Sequence, residues 1–225
     1  MIKKERVMIV DDEPDMLTII TMRLKKWGYD SVCASSGPEA MKKIKSEKLC
    51  MVLLDLALPG MQGDEICRKI KSGKNTSSLP VVVVSAIRDD LAGRARACGA
   101  DDWLLKPYEP SELLKKLKRF SPRGQKKSPA GKTKKLKGLE KIRPEYIKHR
   151  KEDLKEILKN IKSGDFENIK VMAHRMSGSG AMYGCENISK LGMLMEDAAV
   201  SGDVPGIARL ADRLAKVLSA RPPKK

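Results

Sequence analysis

Short apolar runs alternate with amphipathic stretches over the first 120 residues of the chain. Five runs of three or four residues are bounded by turn or charged residues, which is typical of β-strands: 7–10, 31–34, 51–54, 81–84 and 103–105. Helical spacing follows each run, at about 14–27, 38–47, 63–72, 89–98 and 110–119. Five β–α units with right-handed crossovers predict an α/β fold with a doubly wound five-stranded parallel sheet.

The last third of the chain shows a different pattern. Four stretches carry apolar residues at a spacing of three or four: 144–161, 165–183, 186–201 and 204–219. Short polar or glycine-containing segments separate them, at 163–164, 184–185 and 201–203. Four helices joined by short connections predict an all-α, antiparallel four-helix bundle.

A segment between these regions has few apolar side chains and many Pro, Gly, Ser and Lys residues. Such a composition cannot bury enough surface to offset its ordering entropy, which indicates a flexible linker. We therefore expect one domain at 1–120, a linker at 121–140 and a second domain at 141–225. The net charge is +17, and residues 121–143 hold nine Lys or Arg and one Asp or Glu.

Composition excludes several classes of protein. No apolar run approaches the roughly 20 residues of a membrane-spanning helix, and the first apolar segment is too short for a signal peptide. Five scattered cysteines fit neither a disulfide framework nor a zinc site. The basic linker contains no aromatic residue for base stacking, so we expect a solvated spacer and no nucleic-acid partner. These features predict a cytoplasmic protein with reduced thiols.

Carboxylates follow two of the predicted strands. Asp11 and Asp12 come directly after the first strand, and Asp55 ends the third. Strands one and three are neighbours in a doubly wound sheet, so the three groups crowd together and favour a divalent cation, which we expect to be Mg²⁺. Ser85 and Lys106 end the fourth and fifth strands, and this set suits phosphoryl transfer to a carboxylate.

Four motifs strengthen this interpretation: MIVDDEP at 8–14, LLDLALPGMQG at 53–63, VVVSA at 82–86 and GADDWLLKP at 99–107. Together they resemble the receiver domain of two-component response regulators, over about residues 4–120, and the resemblance implies a flavodoxin-like fold. It also implies that Asp55 is the phosphoacceptor, that Asp11 and Asp12 hold Mg²⁺ with it, that Ser85 is the switch hydroxyl and that Lys106 contacts the phosphoryl group.

The same resemblance sets two further expectations. The family's Lys-Pro bond is usually cis, which we expect at Lys106-Pro107. Trp103 stands where the family usually has Tyr or Phe three residues before the lysine. Because the Trp103 ring is larger, it is in question whether it swings inward when the receiver is phosphorylated. The alternative is that Trp103 simply packs at the edge of the sheet.

A histidine on the second predicted helix is the other candidate site. At 100° per residue, His174 falls roughly 140° from the apolar direction of this helix, so we expect it to face solvent. Lys170 and Gly178 lie one turn away on either side. We expect Gly178 to leave a bare surface beside the imidazole and Gly180 to permit close helix packing.

The segment AHRMSGSGAMYG at 173–184 resembles the signature of histidine-phosphotransfer (Hpt) domains, over roughly residues 141–220. The resemblance implies that His174 carries a phosphoryl group. The family commonly has lysine at the position of Ser177, and Lys170 is the candidate to supply that charge instead. His149 has no such surroundings and is expected to be a surface residue.

The two resemblances together predict a phosphorelay protein without a kinase ATP-binding domain. A sensor histidine kinase would act upstream and another response regulator receiver downstream. Two alternatives stay open. In the first, the chain would be a transcriptional response regulator whose C-terminal half binds DNA. In the second, the helical half would be a degenerate docking module.

Overall fold

The computed structural model describes residues 5–86, 90–122 and 138–220 and divides the chain into two compact units, 1–135 and 136–225. The first unit is a sheet flanked by helices. Its strands are β1 (Arg6–Val10), β2 (Asp30–Ala34), β3 (Met51–Leu54), β4 (Val81–Ser85) and β5 (Asp102–Leu105). Its helices are α1 (Pro14–Trp27), α2 (Gly37–Ser46), α3 (Gly63–Ser72), α4 (Leu91–Ala97) and α5 (Pro110–Phe120).

The five strands are all parallel and lie in the order β2-β1-β3-β4-β5. The predicted α/β fold class is therefore confirmed. The chain moves to one side of β1 to form β2 and to the other side to form β3, so the direction of winding reverses between β1 and β3. In such sheets a ligand site forms at the carboxyl ends of the strands beside this reversal.

Alternate strand residues face opposite layers of helices. Met8, Val10 and Val83 share one core with apolar residues of α2, α3 and α4, including Ile66 and Ala95. A glycine allows α3 to begin directly beneath β3: a Cβ on Gly63 would lie 2.2 Å from the carbonyl oxygen of Asp55. The start of α3 thus packs directly against the backbone of Asp55.

The second unit contains α6 (Leu139–Ser163), α7 (Phe166–Ser179), a 3₁₀-helix (Gly180–Tyr183), α8 (Glu186–Ser201) and α9 (Val204–Ser219). Each α-helix packs against the next, and α9 packs back against α6. This closed arrangement is the four-helix bundle that the sequence predicts. None of the helices in the described ranges is both long enough and apolar enough to span a membrane.

Two predicted helix limits are wrong. The first helix of the bundle begins at Leu139 rather than 144 and continues through Pro144, since Arg143 Nε donates a hydrogen bond to the Tyr183 carbonyl at 3.1 Å and holds the first turns in place. The next helix ends at Ser179 rather than 183, because the chain tightens into the 3₁₀-helix before turning at Gly184, where φ is +70°. Residues 123–137 of the predicted linker lie outside the described residues.

Helices α7 and α8 approach most closely at a glycine of α8. A Cβ on Gly192 would lie 2.6 Å from the Ser177 nitrogen and 2.7 Å from the Ala173 oxygen. Gly180 is similarly close to α8, since its Cβ would lie 2.6 Å from the Ser189 nitrogen, as expected for a residue that permits close packing.

We predict that Gly192→Ala forces α7 and α8 apart and lowers the free energy of unfolding of the bundle by about 1–3 kcal/mol. Hydrogen exchange measured by mass spectrometry should show faster exchange of the amides of both helices. Asp197→Ala, at an exposed position of the same helix, is the matched control and should leave exchange unchanged. Equal protection in both variants would contradict the close approach.

Candidate functional site

The carboxylates of Asp11 and Asp55 lie together at the carboxyl ends of β1 and β3. The backbone fixes their positions, because the Asp55 nitrogen donates to the Val10 carbonyl at 2.9 Å and the Asp11 nitrogen donates to the Ala34 carbonyl at 3.1 Å. Both side chains are almost fully buried. The reversal of winding between β1 and β3 thus places two acidic groups side by side.

A single ammonium group joins the two acids. Lys106 Nζ donates to Asp11 Oδ2 at 2.6 Å and to Asp55 Oδ2 at 2.5 Å. Its backbone nitrogen donates to the Ser85 carbonyl at 2.8 Å, so the ends of β4 and β5 are also paired here. The structure therefore brings Asp11, Asp55, Ser85 and Lys106 to one edge of the sheet.

The second oxygen of each acid accepts a hydrogen bond from a nearby backbone nitrogen. Asp11 Oδ1 accepts from Glu13 at 3.0 Å, and Asp55 Oδ1 accepts from Ala57 at 2.9 Å. These bonds orient the carboxyl planes, so that each acid turns its Oδ2 toward Lys106. The orientation of the acids is thus set locally, by the turns that follow β1 and β3.

Burial dominates the electrostatics of this pocket. It raises the pKa of the Asp11 carboxyl to about 6, while the Lys106 ammonium opposes the shift and Asp55 adds to it. Burial alone would lower the pKa of Lys106, but Asp11 and Asp55 together outweigh it and hold that pKa well above its ordinary value. Lys106 consequently stays charged at neutral pH and compensates part of the buried negative charge.

The donor set suits a hard cation, although no three carboxylate, imidazole or thiol groups converge as a ready metal site within 5–86, 90–122 and 138–220. Lys106 lies between two of the predicted ligands, Asp11 and Asp55. The third, Asp12, is half-buried and adjoins Asp11 in the chain. All three offer carboxylate oxygens, which Mg²⁺ prefers, so the residues fit the ion and its binding is taken up as a proposal below.

The remaining residues predicted in the first unit lie at or near the ends of β4 and β5. Ser85 is fully buried, and the Lys106-Pro107 bond is cis, as expected. Trp103 is half-buried on β5, with Arg96 Cζ 5.7 Å from the centroid of its ring. A cation on α4 therefore contacts this ring, and the question whether Trp103 acts as a switch stays a prediction.

His174 lies on α7 beside α8, with 24% of its side chain exposed, so it faces solvent only in part. Its Nδ1 lies 2.8 Å from Glu196 Oε1, an interaction that sequence reasoning missed. An ionised carboxylate only accepts hydrogen bonds, so Nδ1 carries a hydrogen and the lone pair of the neutral ring lies on Nε2, an atom that is buried in this structure. Glu196 thus sets the tautomer of the neutral ring.

Two expectations about the neighbours of His174 need correction or qualification. Gly178 does not form a bare surface, because it is buried along with Ser177. The helical wheel that suggested an open face considered α7 alone, whereas α7 packs against α8 here, and Ser189 Oγ of α8 donates to the carbonyl of Ser177, the residue before Gly178. Lys170 is 42% exposed and lies 3.4 Å from Glu167. A role for Lys170 at the imidazole stays a prediction.

Comparison with known proteins now identifies both units. Residues 7–118 match the family model of the response regulator receiver domain, and residues 143–220 match that of the Hpt domain. The chain joins a receiver domain to an Hpt domain. The expected resemblance to both families is confirmed.

Relatives with known names share the receiver domain. The DNA-binding response regulator MtrA of Mycolicibacterium smegmatis is 32% identical over 116 residues, which cover 51% of this chain and 50% of MtrA. The alkaline phosphatase synthesis transcriptional regulatory protein PhoP of Bacillus subtilis is 31% identical over 132 residues, 58% of this chain and 54% of PhoP. The chain therefore spans about half the length of the curated relatives it matches.

A solved structure shows the same receiver fold. The CheY-like receiver domain protein of Methanospirillum hungatei aligns with a TM-score of 0.51 and 28% identity, covering 56% of this chain and all of that protein. A receiver and an Hpt domain on one chain support a role in a phosphorelay. The Hpt domain also argues against a DNA-binding C-terminal half.

We predict that Glu196→Ala releases the hydrogen on Nδ1 of His174, so that the ring populates both neutral tautomers. The ¹⁵N chemical shifts of the two ring nitrogens, measured by NMR above the pKa of the imidazole, should move toward each other. Asp197→Ala, which removes the neighbouring exposed carboxylate, is the control and should leave the shifts unchanged. Retention of the Nδ1–H tautomer as the dominant form in Glu196→Ala would contradict this assignment.

Proposed function

We propose that Asp55 accepts a phosphoryl group from the phosphohistidine of a sensor histidine kinase. We further propose that His174 carries a phosphoryl group to or from an aspartate of another response regulator receiver. The first proposal is supported chiefly by the buried Asp55 carboxylate, which contacts the Lys106 ammonium at 2.5 Å. The second is supported by the hydrogen bond between His174 and Glu196.

The chemistry at Asp55 requires a carboxylate oxygen that can reach phosphorus and positive charge beside it. An oxygen of Asp55 would attack phosphorus, forming an O–P bond as the N–P bond of the phosphohistidine breaks, and a ring that carries a hydrogen on its other nitrogen departs as neutral imidazole. Lys106 and Ser85 would contact the phosphoryl oxygens. Bound Mg²⁺, held by Asp11, Asp12 and Asp55, would supply further positive charge for these oxygens.

The chemistry at His174 is the reverse exchange. The lone pair on Nε2 would attack the phosphorus of an aspartyl phosphate, and the O–P bond to the aspartate breaks as the N–P bond forms. The ring then carries a positive charge, because Nδ1 keeps its hydrogen, and the Glu196 carboxylate stabilises that charge. The role of Glu196 favours phosphotransfer over a degenerate docking module, since docking alone does not require an oriented imidazole.

We predict that Asp55→Asn abolishes labelling of the receiver by a phosphorylated histidine kinase in the presence of Mg²⁺. The amide that replaces the carboxylate is not a nucleophile for phosphorus. The label on the unmodified protein should be sensitive to hydroxylamine, as expected of an acyl phosphate. Asp30→Asn, at the opposite ends of the strands, is the control and should label normally. Undiminished labelling of Asp55→Asn would refute the assignment.

We predict that His174→Gln abolishes labelling of the helical domain when Asp55→Asn protein is incubated with a phosphorylated partner receiver. The label on His174 should be labile in acid and stable in alkali, as expected of a phosphoramidate. His149→Gln removes the other histidine, whose side chain on α6 is 36% exposed and lies 3.5 Å from Glu145. This control should keep the label, and equal labelling of both variants would disprove the role of His174.

A further inference from the structure

The outer face of helix α6 carries a row of lysines that neither the phosphoryl sites nor the core of the bundle uses. Six lysines, all exposed, form this row: Lys141, Lys148, Lys151, Lys155, Lys159 and Lys162. At 100° per residue they fall within an arc of about 80°, and at 1.5 Å per residue the row is about 32 Å long. We call this row the α6 lysine stripe.

The stripe faces away from the bundle, and most of its charge is uncompensated. The residues that α6 buries, among them Tyr146, Arg150 and Ile157, lie on the opposite side of the helix. Among the described residues only Lys159 of the stripe has an acidic partner, Glu156 Oε2 at 3.6 Å, and both side chains are largely exposed. Lysines three or four residues apart repel each other, so the stripe by itself is unfavourable for the helix.

An exposed apolar side chain borders one edge of the stripe. Leu158 is 45% exposed and lies three residues after Lys155 and four before Lys162, on the same face of α6. Three exposed acids border the other edge: Glu145, Glu152 and Glu156. A contact centred between Lys155 and Leu158 would turn these acids at least about 90° away. The lysines and the leucine can therefore meet one surface together while the acids stay in water.

We propose that the α6 lysine stripe and Leu158 dock on a bilayer surface rich in anionic phospholipids. The occupant is anionic because the stripe is cationic, and lysines near such a surface are attracted to its headgroups. It is flat because a straight row within one narrow arc meets a plane along its whole length. Leu158 would enter the boundary between headgroups and acyl chains. A nucleic acid backbone offers the negative charge but no apolar layer for this leucine.

The architecture of the bundle leaves the candidate phosphoryl site clear of such a surface. Helix α6 packs against α7 and α9, so α8 lies across the bundle from α6. His174 contacts Glu196 of α8 and thus lies on the half of the bundle away from the docked face. Docking would therefore add a location to the proposed function without covering the imidazole. The docking itself does not rest on that function.

The test sediments the full-length chain with vesicles of phosphatidylglycerol and phosphatidylcholine. We expect binding that high salt abolishes, and no binding to vesicles of phosphatidylcholine alone. The double variant Lys151→Gln, Lys155→Gln should bind the mixed vesicles roughly 30-fold more weakly, because each lysine near an anionic surface contributes roughly fivefold. Lys42→Gln, Lys45→Gln, which removes the same charge from exposed positions of α2, is the matched control and should bind normally.

A second pair of variants distinguishes a bilayer from another polyanion. Leu158→Gln should weaken vesicle binding several-fold and leave binding to duplex DNA unchanged. Leu194→Gln, at a similarly exposed position of α8, is its control and should bind vesicles normally.

Three results would overturn the proposal: no binding to the mixed vesicles, equal binding by the α6 and α2 variants, or no effect of Leu158→Gln. If the α6 variant also lost binding to duplex DNA while Leu158→Gln bound vesicles normally, the occupant would be a nucleic acid. None of these readouts involves a phosphoryl group, so a failure here is distinct from a failure of the proposed function.

Discussion

The ammonium of Lys106 between two buried carboxylates is the interaction on which the receiver site depends. Asp11 and Asp55 belong to neighbouring strands, whereas Lys106 follows the strand at the edge of the sheet. The three groups meet because all strands are parallel and end at the same edge. Removing the ammonium would leave buried acids without compensation, which typically costs about 3–5 kcal/mol for a buried pair. The Lys106 ammonium therefore matters both for the proposed chemistry of the site and for the stability of the sheet.

The position of this pocket was predictable because its residues lie at strand ends. A doubly wound order makes the ends of the first and third strands neighbours, so Asp11 and Asp55 could be paired from their places in the chain. The compensation of their charge was not foreseen. Crowded carboxylates suggested a cation, and the structure places Lys106 there with a hydrogen bond to each acid. Strand patterns do not reveal how far a long lysine side chain reaches across the edge of a sheet.

The Hpt domain shows the limit of reasoning from one helix at a time. The helical wheel describes α7 by itself, and so it placed on an open face a residue, Gly178, that is buried within the bundle. Glu196 was missed for the same reason, although a signal existed. Cys185 lies in the turn between the two helices, 11 residues from both His174 and Glu196. Residues equally distant from the turn of a helical hairpin lie opposite each other, so the pair could have been found by this count.

The proposed sites share a principle, since at each a neighbouring group orients the side chain that would meet phosphorus. Ala57 holds Oδ1 of Asp55 and Glu196 holds Nδ1 of His174. The charges beside them are opposite. Lys106 favours the phosphoryl oxygens at Asp55, whereas Glu196 favours the cationic ring of a phosphorylated His174. A ring that keeps its Nδ1 hydrogen departs as neutral imidazole rather than as an anion, so the N–P bond stays easy to break. In the proposed exchange Glu196 would keep that hydrogen on Nδ1, both while His174 is phosphorylated and when the ring departs.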